Sequence, residues 1–190
     1  MRCVIFSALL AMMSTGANAQ AFGVGMGDPV SRHNGTGKDG IDFRVTVPQP
    51  NSEFDFYSAR ATPVTGICRV VGFGNDHKND AYGTSVRGAY KSLQSALNAK
   101  YGNNKSFDFL RTDALWNEDK EFVWSIFKNE RTMSTFWDRG EGSQLPPNVR
   151  AINLRIAAVN SSAAYIVLSY EFDNYDKCEE LSDKKDNAGL

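Results

Sequence analysis

His33 and His77 are the only histidines in the chain. Neither has a cysteine or a second histidine at metal-ligand spacing, so a zinc site would need distant carboxylates. Both sit among polar residues, where a solvated imidazole is the ordinary reading. Acid–base hydrolysis would draw on dispersed carboxylates such as Glu118, Asp119 and Glu121. At the start of a helix the same charges simply favour the helix dipole. No serine lies in a G-x-S-x-G or S-x-x-K pattern. Gly23, Gly25 and Gly27 alternate, but no clear strand precedes them and no helix clearly follows, and a phosphate-cradling loop needs that context. Residues 34–42 are rich in oxygen donors yet lack the spacing and terminal glutamate of a calcium loop. Asn34 and Asn160 fit N-x-S/T, which does not by itself show a glycosylating host. No residue is assigned as catalytic, no metal ligand is assigned and no cofactor is expected.

The remaining chemistry is that of cysteine. Arg2, the apolar run of residues 3–13, and Ala17, Asn18 and Ala19 together read as a secretory leader over residues 1–19, cut before Gln20. The run is too short to span a bilayer. Cys3 stands at the start of the run, not at its far end, and leaves with it, so it does not look like a lipid-attachment site. Cys68 and Cys178 remain, and an even pair in an exported chain favours a disulfide. It would close a loop of over a hundred residues, worth roughly 4–5 kcal/mol in the chain-entropy model.

Charge and hydropathy narrow the partners. The chain carries 21 basic and 22 acidic residues, and removing Arg2 leaves a net charge of −2. No basic stripe stands out, which argues against nucleic acid. Beyond the leader no stretch approaches membrane-spanning length. Aromatics make up 12% of the chain, and Trp116, Trp124 and Trp137 fall close together. A large aromatic core is favoured over a ligand platform. If any of these rings are exposed as binding anchors, Trp116 and Trp137 are the choices, because polar residues flank them.

The elements that must position these groups follow from periodicity. Residues 20–53 read as a loose, mobile Gly/Pro-rich arm, with a short edge strand possible at 43–47. A single domain is expected over 54–190. It starts with a hairpin, 54–61 and 67–73. Val86, Tyr90, Leu93, Leu97 and Tyr101 mark one face of a helix, with Thr84 or Ser85 as cap and Gly102 as stop. A second helix is expected over 118–129, with Asn117 as cap. Strands over 131–137, 148–158 and 164–172 follow, the last two as a clear hairpin. A charged helix capped by Asn174 closes the chain, with Cys178 and Leu181 inward. This is an α+β pattern: a mainly antiparallel sheet of about five strands, helices on one face, and one disulfide stapling the last helix to the sheet.

Several of these features resemble a set of uncharacterised exported proteins of Gram-negative bacteria. They are Gly66 and Ile67 opening a strand, Tyr101 and Gly102 ending a helix, Phe107, Asp108, Phe109 and Leu110, then Trp116, Glu130 and Arg131, Leu145 and Pro146, and Tyr170, Glu171 and Phe172. They cover most of residues 54–172 and imply no activity. A shorter resemblance, from Phe22 to Gly27 and the following hairpin, is to small accessory modules of outer-membrane assembly. Asp28, Pro29 and the Gly-rich stretch depart from the regular helices of those modules.

The favoured reading is a periplasmic or secreted, non-enzymatic module that binds another envelope or exported protein, of inhibitor or immunity type among the options. The alternatives are a periplasmic hydrolase using dispersed carboxylates or His77, and a carrier of a small apolar ligand within a cage of the three tryptophans. A deep pocket holding His77 with carboxylates would favour the hydrolase and a closed aromatic cavity the carrier. A flat apolar patch would favour the binder.

Overall fold

The computed structural model describes residues 21–187; the expected leader lies outside them. Seven strands form one antiparallel sheet: β1 (Asp42–Val45), β2 (Phe54–Thr62), β3 (Gly66–Gly74), β4 (Lys105–Leu110), β5 (Arg131–Asp138), β6 (Val149–Ala158) and β7 (Ala164–Phe172). Their spatial order is β1-β2-β3-β7-β6-β5-β4. The count of about five strands is therefore corrected to seven. The edge strand near residue 43 belongs to the sheet, as β1. Residues 105–110, which alternate without burying either face, form β4 at the other edge.

Alternation along β7 sends Ile166, Leu168, Tyr170 and Phe172 to one face, where they join Ile152, Leu154 and Ile156 of β6 and Trp137 of β5 in the main core. Helix α1 (Thr84–Tyr101) and the short α2 (Phe122–Phe127) cover this face. Val86, Tyr90, Leu97 and Tyr101 are the buried stripe of α1, as the three-and-four spacing requires. Its start is held by Asp80, whose carboxylate oxygens accept the Thr84 and Ser85 N–H groups at 2.9 and 2.7 Å, in place of a Thr84 or Ser85 hydroxyl.

Helix α3 (Tyr175–Asn187) lies on the opposite face, so the expectation of helices on one face is corrected as well. Arg69 sits opposite Glu171 in the ladder and Arg60 opposite Arg69, while their neighbours Val70 and Tyr170 enter the main core. The Arg69 guanidinium donates to the Tyr175 hydroxyl at 3.2 Å and Arg60 to Glu179 at 2.5 Å. Arg60 also holds Asp42, and these carboxylates raise its guanidinium above its ordinary range. Cys68 and Cys178 form the expected disulfide and tie α3 to β3. The Asn174 side chain, expected as a cap, donates to the Thr65 and Ile67 carbonyls.

Part of the 21–53 segment packs into the core. Ala21 and Val24 are fully buried. Phe22 sits among Phe54, Tyr57 and Tyr170, with ring centroids at 5.3, 4.8 and 5.4 Å. Gly27 N–H donates to the Ile67 carbonyl and Ile67 N–H to the Asp28 carbonyl, so the segment is laced to the start of β3. Glycines here build the turns that bring two small apolar side chains into the core.

Candidate functional site

Tyr82, Leu115 and Phe127, all exposed, lie beside Trp116 and Trp124. Residues 111–117 form a built turn. Arg111 N–H donates to the Glu130 carbonyl at 2.8 Å and Ala114 N–H to the Arg111 carbonyl at 3.1 Å. The Glu130 carboxylate accepts the Trp116 N–H at 3.0 Å. Glu130 is thereby a positioning group as well as a charge, a role its place before a strand does not reveal.

Trp124 lies on α2. The expected helix over 118–129 is shorter: a 3-10 turn, Asp119–Glu121, leads into α2. Glu118 and Glu121 form a reciprocal capping box, which satisfies two helix-start donors; Asn117 instead donates to the Ala114 carbonyl. These carboxylates therefore have structural work at the helix start. Gly83, with φ +67°, brings the 80–83 loop flat against Phe122, where a Cβ would collide with the ring. Val123 N–H donates to the Ala81 carbonyl at 3.1 Å, and Asp80 N–H to the Ser162 carbonyl at 2.9 Å. Three separate segments are thus locked together around the two tryptophans.

The result is an open dish of about 600 Å³ lined by Ala81, Tyr82, Trp116, Lys120, Glu121, Trp124, Ser161 and Ser162. Trp116 meets Trp124 edge-on at 5.5 Å. Trp124 stacks on Phe127 at 5.1 Å, and the Lys128 ammonium sits 4.5 Å above the Trp124 ring. Beside them Leu115 is 80% and Tyr82 56% exposed. Of the charges at or near the dish, Lys120 pairs with Glu118 and Arg111 with Asp113. The Glu118 carboxylate raises the Lys120 ammonium above its ordinary value, and Arg111 lowers the Asp113 carboxyl. The centre is apolar and ring-lined, a composition suited to a protein contact.

Of the two expected anchors, Trp116 lies in this dish. Trp137 does not: it is fully buried in the main core, because β5 parity sends Thr135 and Trp137 inward and Phe136 outward. Its immediate neighbours, Phe136 and Asp138, face the other way. With Trp137 inside and the other two at the surface, the three tryptophans enclose no common cavity.

His33 is buried, with Nε2 3.0 Å from Asp28 Oδ2, rather than solvated. Burial would raise the Asp28 carboxyl, but hydrogen bonds from His33 and the Gly25 N–H, with the charge of Arg32, hold it below its ordinary value. His77 is half-buried and pairs through Nδ1 with Ser85 Oγ at 2.7 Å. A serine nucleophile would need N–H groups for the developing oxyanion. At this helix start the Thr84 and Ser85 N–H groups are occupied by Asp80. Among the described residues no group of three or more His, Cys, Asp or Glu side chains is arranged to hold a metal, and no helix is long and apolar enough to cross a membrane. Comparison with protein-family models, with curated proteins and with solved structures found no match to this chain.

Proposed function

We propose that this chain is an exported, non-enzymatic protein-binding module, periplasmic or secreted, that docks another envelope or exported protein on the Trp116–Trp124 dish. The observation that carries the reading is the dish itself: a shallow, ring-lined surface with Leu115 and Tyr82 exposed and with Lys120 and Arg111 paired within the chain. Charges matched internally contribute little affinity of their own, and binding energy concentrates in a few aromatic anchors. An inhibitor or immunity-type role fits such a rigid surface.

Affinity capture from periplasmic extract tests it, with the parent chain as bait beside a Trp116→Ala, Tyr82→Ala double variant. The partner held by the parent should bind the variant at least about tenfold more weakly, the scale of a lost aromatic anchor, with the far-UV spectrum unchanged. Equal capture by both baits refutes the dish as the docking surface. The 2.7 Å His77–Ser85 pair is what favours the hydrolase reading. A His77→Ala, Glu118→Gln, Asp119→Asn variant that stays folded and keeps its partner but loses all biological effect would put that reading in place of the binder.

A further inference from the structure

The two edges of the sheet are treated differently. At β1, Thr36 forms a two-way backbone bridge with Arg44, at 2.9 and 2.8 Å, which occupies the outer side of a four-residue strand. At β4, Lys105, Ser106, Phe107, Asp108 and Phe109 are all exposed, and among the described residues no strand pairs with the outer side. An exposed edge with apolar side chains is a template for another strand.

The ladder fixes which groups are offered. Arg111 N–H donates to the Glu130 carbonyl, one step beyond the Leu110–Arg131 pair. Hydrogen-bonded pairs alternate along an antiparallel ladder. Lys105, Phe107 and Phe109 therefore turn their main-chain groups toward β5, and Ser106, Asp108 and Leu110 turn theirs outward. On the sheet face that bears α3 at its far end, β4 shows Phe107 (48% exposed) and Phe109 (56%), with Phe136 of β5 edge-on to Phe107 at 5.9 Å.

We propose that the occupant of this edge is a second copy of the chain, β4 against β4 about a two-fold axis perpendicular to the sheet. Such an axis keeps like faces together, and only a few registers are available. With Phe107 on the axis, each Phe107 faces its copy, Lys105 faces the second copy's Phe109, and Asp108 faces the second copy's Ser106. Aromatic pairs and a cation over a ring are favourable neighbours across strands. Moving Asp108 onto the axis sets two aspartates directly opposite, which is unfavourable. Moving Ser106 or Phe109 onto the axis pairs only three residues of each strand in place of five. Strand overlap and the like charges of Asp108 thus select one register, with Lys105 and Asp108 each also paired within its own chain to Glu141 and Arg131, and in it the Phe136–Phe107 pairs of the two copies join into one aromatic stripe.

Sedimentation equilibrium of the purified chain across a concentration series is the test. A reversible dimer is expected. Asp108→Pro should give a monomer with an unchanged far-UV spectrum, because it removes an N–H that faces outward and leaves the backbone bonds to β5 intact; the Arg131–Asp108 ion pair it also removes is removed equally by Asp108→Ala. Asp108→Ala, which keeps that N–H, should stay dimeric. In a Cys3→Ser background Phe107→Cys should crosslink on mild oxidation, since a non-hydrogen-bonded pair sets Cα atoms about 4.5 Å apart. Phe109→Cys should not. A chain that is monomeric at every concentration, including one that pairs only with a strand of a different protein, overturns the proposal. So does a dimer that survives Asp108→Pro, or crosslinking through position 109 and not 107.

Discussion

Phe22 offers the sharpest test of how the N-terminal segment is held. Val24 N–H donates to the Ala21 carbonyl at 3.0 Å, closing a four-residue turn whose central residues, Phe22 and Gly23, have φ of +57° and +85°. Positive φ at both positions marks a mirror-image turn, and a side chain there is strained by about 1–2 kcal/mol. The ring offsets that strain through its three edge-on aromatic contacts, each worth roughly 0.5–1.5 kcal/mol beyond burial. Phe22→Ala removes the ring and keeps the strained backbone. Since Phe22 is only partly buried, the loss should fall near the low end of the phenylalanine range, about 3 kcal/mol. Phe22→Gly loses the same ring but relieves the strain, less about 0.4–1 kcal/mol for a looser unfolded chain. Glycine should therefore be more stable than alanine here by roughly 0.5–1 kcal/mol, the reverse of their usual order. Urea melts of the three proteins, read at a common m-value, measure both differences. An alanine variant within about 1 kcal/mol of the parent would show that the segment is not part of the core. A glycine variant less stable than alanine would show that the turn does not hold Phe22 in the left-handed region.

Asp28→Asn should cost roughly 1.5–3 kcal/mol at pH 7, the range for hydrogen bonds to a charged group. Because the folded carboxyl is held low, that stability is present above about pH 3.9 and is lost as the pH falls through the folded value. The gap between parent and variant in denaturant melts should shrink in acid; a constant gap would mean the charge is not responsible. Replacing Cys68 and Cys178 together by serine should cost roughly 2–5 kcal/mol. The loss should be concentrated in α3, whose remaining ties include exposed or half-exposed ion pairs such as Arg150–Asp176. Hydrogen exchange should then show α3 amides opening while α1 stays protected, and equal protection of the two helices would refute this.

Elements that bury one face were legible in the sequence. The α1 stripe and the β6–β7 alternation each reach the core as their periods require. The pairing of Cys68 with Cys178 was legible once Cys3 was assigned to the expected leader, which leaves an even pair. Strand β4 was not, because a strand exposed on both faces has no burial pattern to read. Ala21 and Val24 were hidden for a related reason: a turn of four residues carries no period, and its glycines look like looseness. Strand parity, not the polarity of nearby residues, decides where Trp137 points. Trp116 could be marked as a surface ring, but the dish around it depends on backbone bonds from residues 81, 123 and 162, which no local pattern contains.

The strand order carries a consequence for how the chain assembles in time. Strands β1 to β3 form one meander and β4 to β7 another, and they meet only where β3 pairs with β7. Each half needs short-range closures; the seam between them needs the whole intervening chain. The disulfide, 110 residues across, and the Phe22–Tyr170 contact both span that seam, so neither can form before β7 has been synthesised. Joining distant strands is slow, and until it happens the inner edges of β3 and β7 are open to wrong partners. Oxidation of the two cysteines at that moment would act as a latch, converting a slow encounter into a committed one.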